Sequence, residues 1–318
     1  MTKHLFLATV VALLACGDAG AQSSTAPRLP NKPDSVKFLV LGDTGTGDRA
    51  QYEIAQQAIR SRATFNYSFA ILLGDNLYGG EKPSDYDKKF ERPYKPLLDA
   101  GVKFYASLGN HDDANQRFYK HFNMNGERYY SFKPKDGVRL FALDSNYMTQ
   151  EQLQWADKEL ASSGSEWKIA FFHHPLYSSG KRHGPDDELR QALEPLLVKH
   201  GVSVAFTGHE HFYERIKPQK GVHHFIVGSA GKLRKSNIRA QEQTARGFDQ
   251  DLAFMLVEID GDTMSFQTIS RTGAVVDFGT VEKFGKKAPA VITDAAPPDD
   301  RSGGAVNGAG EQNKSRKQ

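Results

Sequence analysis

The chain has 318 residues, of which 39% are hydrophobic and 25% are charged, an ordinary composition for a globular protein. The formal net charge of +3 is too small to indicate a nucleic-acid partner by itself. There is one cysteine, Cys16, so the composition excludes an internal disulfide framework and a metal site built on thiolates.

The first residues are typical of an export signal, and two modes of processing remain open. Lys3 provides a positive charge, and the apolar run "LFLATVVALLA" is too short to span a bilayer. The small residues "AGA" that follow suit cleavage by signal peptidase, which predicts a signal peptide over residues 1–21. The sequence "LLAC" also resembles a bacterial lipoprotein signal, in which Cys16 would carry a lipid anchor. We therefore expect an exported protein, periplasmic or secreted, either free or lipid-anchored, with no transmembrane segment.

Two polar segments flank the predicted domain. Residues 22–34 are rich in Ser, Pro and Asn and predict a linker. Residues 286–318 have few large apolar side chains and much Gly and Pro, so they bury too little surface to offset the entropy lost on ordering. We expect this segment to be a disordered C-terminal tail. The remaining residues, 35–285, are predicted to form one domain.

Short apolar runs alternate with helical patterns along this domain. Strand-like runs include "VKFLVLGD", "SFAILLGD", "KFYASLGN", "VRLFALDS", "KIAFFHH" and "SVAFTGH". One helix is predicted after Thr149, which stands three residues before Gln152 in the spacing of a capping box. Another precedes Gly201, and Pro195 within it predicts a kink or an early end. The alternation indicates an α/β fold, with antiparallel strands added at "RYYSF" and beyond Val222.

Polar side chains follow five of the predicted strands at the point where each strand ends. They are, in chain order, Asp43, Asp75 with Tyr78, Asn110 with His111, His173 with His174, and His209 with His211. A single Asp in such a place is most often a turn former or a helix cap. In open α/β sheets, however, ligands bind at the carboxyl ends of the strands. Five such residues or pairs on one edge therefore indicate a functional site.

The residue types in this set suit hard or borderline metal ions. Carboxylate, amide oxygen and imidazole are ligands for Fe, Mn and Zn. Two such ions roughly 3.5–4 Å apart hold the oxygens of a phosphoryl group and lower the pKa of a bound water, and the resulting hydroxide attacks phosphorus. The set therefore predicts a dinuclear metal centre that hydrolyses phosphate esters.

Five short motifs carry a resemblance to a known superfamily. They are "GD" (42–43), "GDNLY" (74–78), "GNHD" (109–112), "HHP" (173–175) and "GHEH" (208–211), and in this order they resemble the motif blocks of the calcineurin-like metallophosphoesterases. Tyr78, three residues after Asp75, resembles the tyrosine that marks the purple acid phosphatases. The segment containing "HGP" (183–185) is similar to the small, tartrate-resistant acid phosphatases. The resemblance implies that residues 35–285 form a metallophosphoesterase catalytic domain, with two facing mixed β-sheets (a β-sandwich) flanked by helices.

The resemblance also implies how the ligands divide between two metal ions. The first ion, Fe(III) in the family, would be bound by Asp43, Asp75, Tyr78 and His211. Asp75 would bridge to the second ion, which is Fe(II), Zn or Mn in different members. The second site would be completed by Asn110, His173 and His209.

Three further histidines receive predicted roles from the same comparison. His111 is similar to the residue that contacts the phosphate and protonates the leaving group, so it is a candidate catalytic residue. His183 is similar to a second phosphate-facing histidine, with a solvated loop position as the alternative. His174 stands where the family varies, and we expect that it does not bind metal. The basic loop "GKLRKSNIR" is either a solvated face or a rim that attracts anionic substrate.

The prediction that follows is an exported acid phosphatase that hydrolyses phosphate monoesters by attack of a metal-bound hydroxide. Its substrates would be small phosphorylated molecules or phosphoproteins, with no nucleic acid. One alternative is a phosphodiesterase or nuclease on the same scaffold with Mn or Zn. Another is a non-catalytic exported protein that binds phosphate or metal. Tyr78 and the "HGP" segment favour the monoesterase.

Overall fold

The structure is a computed structural model that describes residues 29–285, and its strands form two β-sheets that pack face to face. The first sheet contains, in spatial order, β13 (Val275–Glu282), β12 (Thr263–Ser270), β11 (Ala253–Asp260), β1 (Val36–Leu41), β2 (Phe69–Leu73) and β3 (Lys103–Ser107). The second contains β10 (Thr244–Phe248), β8 (Tyr213–Gln219), β9 (Val222–Val227), β7 (Val204–Thr207), β6 (Trp167–Phe171), β5 (Val138–Ala142) and β4 (Tyr130–Lys135). The predicted signal peptide with Cys16 and the predicted C-terminal tail lie outside the described residues.

Both sheets are mixed. Strands β1, β2 and β3 run parallel, while β11, β12 and β13 extend the first sheet by antiparallel pairing. In the second sheet, β5, β6, β7 and β9 are parallel neighbours, and β4, β8 and β10 pair antiparallel. The predicted fold class is confirmed, including the antiparallel strands predicted at "RYYSF", which is β4, and beyond Val222, which are β10 to β13.

The helices cover the outer faces of the two sheets. They are α1 (Arg49–Arg62), α2 (Pro83–Tyr86), α3 (Arg92–Asp99), α4 (Gln150–Ser162) and α5 (Asp187–Lys199), with a π-helical turn at Asp87–Glu91 and 3-10 turns at Ala114–Phe118 and Lys120–Phe122. Helix α4 starts as predicted, since the Thr149 hydroxyl accepts a hydrogen bond from the Gln152 N–H at 3.2 Å. None of the helices within residues 29–285 has the length and apolar character needed to cross a membrane.

Helix α5 does not end at Pro195, so the early end predicted there is not observed. Proline removes one backbone donor, but the helix continues to Lys199. Its face with Leu189, Leu193 and Leu197 is buried against the second sheet, and this packing stabilises the last turns. Gly201 follows the helix with a positive φ of 68°, as expected for a residue that terminates a helix.

Strand β1 shows why the strand-like runs are apolar throughout. Leu39 and Leu41 face α1, whereas Phe38 and Val40 face the second sheet. A strand buried on both faces needs apolar residues at every position. The resulting order of layers is helices, first sheet, second sheet and helices, with one buried cluster at each of the three interfaces.

The described part of the predicted linker packs against the first sheet. Leu29 is buried in the cluster beneath α1. The backbone N–H groups of Asn31 and Lys32 each donate to the Glu258 carboxylate of β11 at 2.6 Å. The segment that precedes β1 is therefore anchored to the first sheet.

Candidate metal centre

All seven predicted metal ligands meet at one end of the sandwich, where loops from both sheets converge. The first sheet supplies Asp43, Asp75, Tyr78 and Asn110 from the loops after β1, β2 and β3. The second sheet supplies His173, His209 and His211 from the loops after β6 and β7. Parallel strands end at a common edge, and the facing of the two sheets brings the two edges together.

Three of the predicted ligands form the first half of the site. The Tyr78 hydroxyl donates to Asp43 Oδ1 at 3.1 Å and lies 3.3 Å from His211 Nε2. His211 Nε2 is also 3.5 Å from Asp43 Oδ1. A phenol, a carboxylate and an imidazole thus direct their polar atoms to one point.

The second half of the site is built around Asn110. Its Oδ1 atom lies 3.0 Å from His173 Nε2 and 3.0 Å from His209 Nδ1, and these two nitrogens are 3.2 Å apart. Asp75 Oδ1 lies 3.4 Å from His173 Nε2, and the same carboxylate also contacts the Tyr78 hydroxyl. Asp75 therefore touches both halves, as a bridging carboxylate must.

The donor set fits a pair of metal ions. His173 Nδ1 faces the carbonyl of Leu73 at 2.9 Å and donates its proton there, which leaves the Nε2 lone pair directed at Asn110 Oδ1. Both of those atoms are acceptors, so their approach is unfavourable unless a cation lies between them. A carbonyl acceptor on the opposite ring nitrogen is also the usual support of a metal-bound histidine.

Burial and neighbouring charges shift the pKa values of the side chains at the site, and these shifts favour cation binding. Burial and the neighbouring imidazoles hold the pKa of His173 well below its ordinary value and lower the pKa of His209 to about 2. Burial and the positive charge of Arg234 lower the pKa of His211 to about 4. These imidazoles are therefore neutral near pH 7 and offer free lone pairs. Burial and the charge of Asp75 raise the pKa of Asp43, as expected for two carboxylates held together without a counter-ion.

Two glycines of the motifs leave space for the carboxylates. A Cβ on Gly109 would lie 2.3 Å from Asp75 Oδ1, and one on Gly208 would lie 2.6 Å from Asp43 Oδ2. Both distances are shorter than any side chain permits. The glycines of "GNHD" and "GHEH" are therefore required by the close approach of the backbone to the ligands.

The two candidate catalytic histidines lie beside the ligands. The backbone N–H of His111 donates to Asp75 Oδ1 at 3.0 Å, and the His111 ring lies 5.0 Å from the Tyr78 ring. The His183 ring lies 4.4 Å from the His209 ring. Both side chains are exposed, so both are open to a ligand at the centre.

His174 also lies close to the ligands, but Ser145 engages one of its ring nitrogens. Polar atoms of His173, His174 and His209 fall within 4.8 Å of one another. Ser145 Oγ accepts from the backbone N–H groups of His173 and His174, at 3.2 and 3.0 Å, and so donates its own proton to His174 Nδ1 at 2.9 Å. His174 therefore carries its proton on Nε2 and presents a donor rather than a lone pair there.

Two supporting residues were missed from the sequence. Asp112 accepts hydrogen bonds from the backbone N–H groups of Gly109, Asn76 and Leu77 at 2.8 to 3.1 Å, and so ties the loop after β3 to the loop after β2. Burial and the charge of Asp75 raise the pKa of Asp112 to about 7. Asp112 is the last letter of "GNHD", and Ser145 ends the run "VRLFALDS", so both could have been singled out.

Comparison with known proteins agrees with the motifs. Residues 36–213 match the family model described as calcineurin-like phosphoesterase. Tartrate-resistant acid phosphatase type 5 of Rattus norvegicus is 24% identical over 289 residues, which cover 75% of this chain and 88% of the rat protein. Purple acid phosphatase 17 of Arabidopsis thaliana is 27% identical over 238 residues, which cover 64% of this chain and 70% of the plant protein.

Solved structures show the same fold. A purple acid phosphatase from yellow lupin (Lupinus luteus) seeds superposes with a TM-score of 0.64 at 18% identity, covering 81% of this chain and 55% of the lupin chain. GAP50 of Plasmodium, described as the anchor in the inner membrane complex, superposes with a TM-score of 0.71 at 19% identity. The match covers 80% of this chain and 90% of the Plasmodium chain. Proteins with different described roles thus share this architecture, and the side chains at the site must decide the chemistry.

Proposed function

The chain belongs to the calcineurin-like phosphoesterase family, and we propose that it is an exported acid phosphatase that hydrolyses phosphate monoesters. The observation that carries the proposal is the position of Tyr78. Its hydroxyl lies 3.1 Å from Asp43 and 3.3 Å from His211, among the predicted ligands rather than in turn packing. A tyrosine in this place is the feature by which the chain resembles the purple acid phosphatases.

The residues divide into two sets that would hold two metal ions. Asp43, Tyr78 and His211 suit Fe(III), because carboxylate, phenolate and imidazole are ligands for a hard cation. Asn110 with the two remaining imidazoles suits Fe(II), Zn or Mn, and Asp75 would join the two sets. Two such ions, when bound, would supply Lewis acidity to phosphoryl oxygens and would lower the pKa of a bound water.

The exposed histidines provide the proton and the hydrogen bonds that ester cleavage needs. His111, fixed through its backbone to Asp75, would give its proton to the oxygen of the departing alcohol. His183, beside His209, would donate a hydrogen bond to an oxygen of the phosphoryl group. His174 Nε2–H is a further donor held in place by Ser145.

The export part of the proposal rests on residues 1–21 and on Cys16, which lie outside the described residues. Mass spectrometry of the mature N-terminus tests it. A chain that starts at residue 22 supports a cleaved signal peptide, and a chain that starts with lipidated Cys16 supports an anchor. A chain that retains residues 1–21 would contradict export by this signal.

The activity is tested with two esters of the same leaving group. The iron-loaded protein should hydrolyse 4-nitrophenyl phosphate with a kcat/KM at least about tenfold above that for bis(4-nitrophenyl) phosphate, a difference of about 1.4 kcal/mol. A preference for the diester would replace the proposal with the phosphodiesterase alternative. Inertness toward both esters at full metal occupancy would favour a non-catalytic binding protein.

A matched pair of substitutions separates the site from its surroundings. Asp75→Asn removes the charge of the bridging carboxylate and should lower kcat/KM by more than about a hundredfold. Asp113→Asn removes the same charge from an exposed turn close by, where the side-chain oxygen caps Asn115 N–H at 2.8 Å. The amide oxygen introduced by this substitution retains the acceptor, so the control should keep its activity. Equal losses in both variants would contradict the assignment of Asp75.

A further inference from the structure

An open groove runs beside the metal centre, with a volume of about 740 Å³. One wall is formed by the predicted ligands Tyr78 and His211, and the other by residues 231–235 of the basic loop. The Lys232 ammonium lies 3.5 Å from the centre of the Tyr78 ring. Positive charge therefore reaches the edge of the site itself.

Lys232 and Arg234 line this groove, and Arg182 on a neighbouring loop lies close enough to Arg234 for their like charges to repel. We call Arg182, Lys232 and Arg234 the basic cluster. Within residues 29–285, no carboxylate lies at salt-bridge distance from any of them. Glu210 is close enough to favour the charged form of Arg234, yet its oxygens accept from Ser178, Gly184 N–H and Asn237 instead.

Arg234 is the most constrained member of the basic cluster. Its Nη1 atom is buried and has no hydrogen-bond partner in the described part of the chain. Burial and the like charge of Arg182 lower the pKa of the Arg234 guanidinium. A buried guanidinium nitrogen without an acceptor costs free energy, so its retention points to an acceptor that a ligand provides.

Backbone hydrogen bonds force the two loops of the basic cluster together. Lys181 N–H donates to the Asn237 carbonyl and Arg239 N–H donates to the Ser179 carbonyl, both at 2.9 Å. Arg234 N–H donates to the His211 carbonyl at 2.9 Å, and Lys232 N–H donates to the Asp43 carbonyl at 3.1 Å. Like charges are therefore held close to one another and next to two metal ligands by the fold, where an anion would relieve their repulsion.

We propose that the basic cluster binds a second anionic group of the substrate, so that the preferred substrates are phosphate monoesters with a neighbouring phosphate or carboxylate. This inference rests on the proposed monoesterase function and names its substrate class. Because Lys232 contacts Tyr78, the second group must lie within a few bonds of the scissile phosphate. The preferred substrate is thus a small molecule with two anionic groups close together.

Two substrates with similar leaving groups test the inference. The carboxylate of 3-phosphoglycerate replaces the terminal hydroxymethyl group of glycerol 1-phosphate. The wild-type enzyme should show a kcat/KM at least about tenfold higher for 3-phosphoglycerate, since a charge-assisted hydrogen bond supplies a factor of this size. Arg234→Gln should reduce this ratio toward one and make the ratio less sensitive to salt.

Arg239→Gln is the matched control, because it removes the same charge from an exposed position on the same basic loop. Its selectivity ratio should equal that of the wild-type protein. A ratio near one in the wild-type enzyme, or an equal fall in both variants, would overturn the inference.

A binding measurement separates this inference from the proposed function. Calorimetry on the full chain should show tighter binding of methylenediphosphonate than of methylphosphonate, by about tenfold, with the difference lost in Arg234→Gln. If neither 3-phosphoglycerate nor glycerol 1-phosphate is hydrolysed but methylenediphosphonate binds more tightly, the monoesterase proposal fails and the second anion site stands. If both of these esters are hydrolysed and methylenediphosphonate binds no more tightly than methylphosphonate, only the second anion site is contradicted.

Discussion

Three of the predicted ligands hold a left-handed backbone conformation where a strand ends. Asp43, Asp75 and His209 have φ values of 57°, 51° and 66°. Each such residue costs roughly 1–3 kcal/mol and persists only where its surroundings enforce it. Asp43 N–H donates to the Gly74 carbonyl at 3.1 Å, and His209 N–H donates to Asp43 Oδ2 at 2.9 Å. The ligand positions are therefore set by the protein's own hydrogen bonds.

Tyr78→Phe should remove the visible absorption of the iron-loaded protein and leave the fold intact. A phenolate bound to Fe(III) absorbs visible light by charge transfer, whereas a phenyl ring has no oxygen to bind. The substitution deletes the contacts of the hydroxyl to Asp43, Asp75 and His211, while the ring keeps its contact with the Lys232 ammonium, so stability should change by about 1 kcal/mol. Visible spectroscopy and thermal unfolding of both proteins measure the two effects.

The matched control is Tyr52→Phe, which removes a hydroxyl that donates to the Lys88 carbonyl away from the site. It should keep the visible band. A colourless wild-type protein that is active with Zn or Mn would contradict the assignment of Fe(III) to the Tyr78 side. A band that survives in Tyr78→Phe would contradict the role of the phenol.

Among the secondary-structure elements, strand β9 contains a buried histidine, His224, that is not part of the candidate metal centre. His224 is 3% exposed, its Nε2 atom has no partner within the described residues, and its ring lies 5.0 Å from that of Tyr177. Burial lowers the pKa of His224 to about 3, whereas the pKa of an unfolded histidine is about 6.5. At mildly acidic pH, His224 is therefore protonated in the unfolded chain and neutral in the folded chain.

Stability should fall as the pH drops below about 6.5, because His224 favours the unfolded state once that state is protonated. The loss approaches about 1.4 kcal/mol per pH unit for one proton and ends near the folded pKa of about 3. His224→Leu should make the free energy of unfolding less dependent on pH between about 6 and 4.5. Urea unfolding at several pH values measures the slope.

Phe225→Leu, at the next buried position of β9, is the control for general destabilisation. It should lower stability at all pH values and leave the pH slope unchanged. An unaltered slope in His224→Leu would show that His224 is not the group responsible.

Across the whole fold, the predicted ligands connect the two sheets. Asn110 lies in the loop after β3 of the first sheet and His209 in the loop after β7 of the second, and their polar atoms are 3.0 Å apart. A metal ion between them would bind the folded protein and not the unfolded chain, since the ligands are separated by 99 residues. Metal binding is therefore expected to stabilise the sandwich as a unit.

Addition of Zn or Mn to the chelator-treated protein should raise the melting temperature. At a concentration of about 100 Kd the gain is about 2.7 kcal/mol, or roughly 5–10 °C for a domain of this size. Asn110→Ala and His209→Ala should each require about tenfold more metal for the same shift. Asn115→Ala, an exposed asparagine on a nearby turn, should behave as the wild type. A melting temperature that does not respond to metal would contradict the site.

Much of the architecture was predictable because local signals and the global fold agree. The apolar runs of β1, β2 and β3 end at the residues that the motifs place at strand ends. The capping pair Thr149 and Gln152 marks the start of α4. The early end of α5 predicted at Pro195 is not observed, because packing of α5 on the second sheet outweighs the missing backbone donor.

The sequence alone determined the chemical identities: the ordered motifs, the types of ligand and the α/β class follow from residues that are neighbours in the chain. Only the tertiary structure decided which atoms meet. Some contacts join segments that are far apart in sequence. They include the Ser145 contact that sets the proton on His174, the hydrogen bonds of Asp112 between two loops, and the close approach of Arg182 and Arg234. Such contacts follow from strand order and loop geometry, because parallel strands connected by long crossovers bring distant residues to one edge.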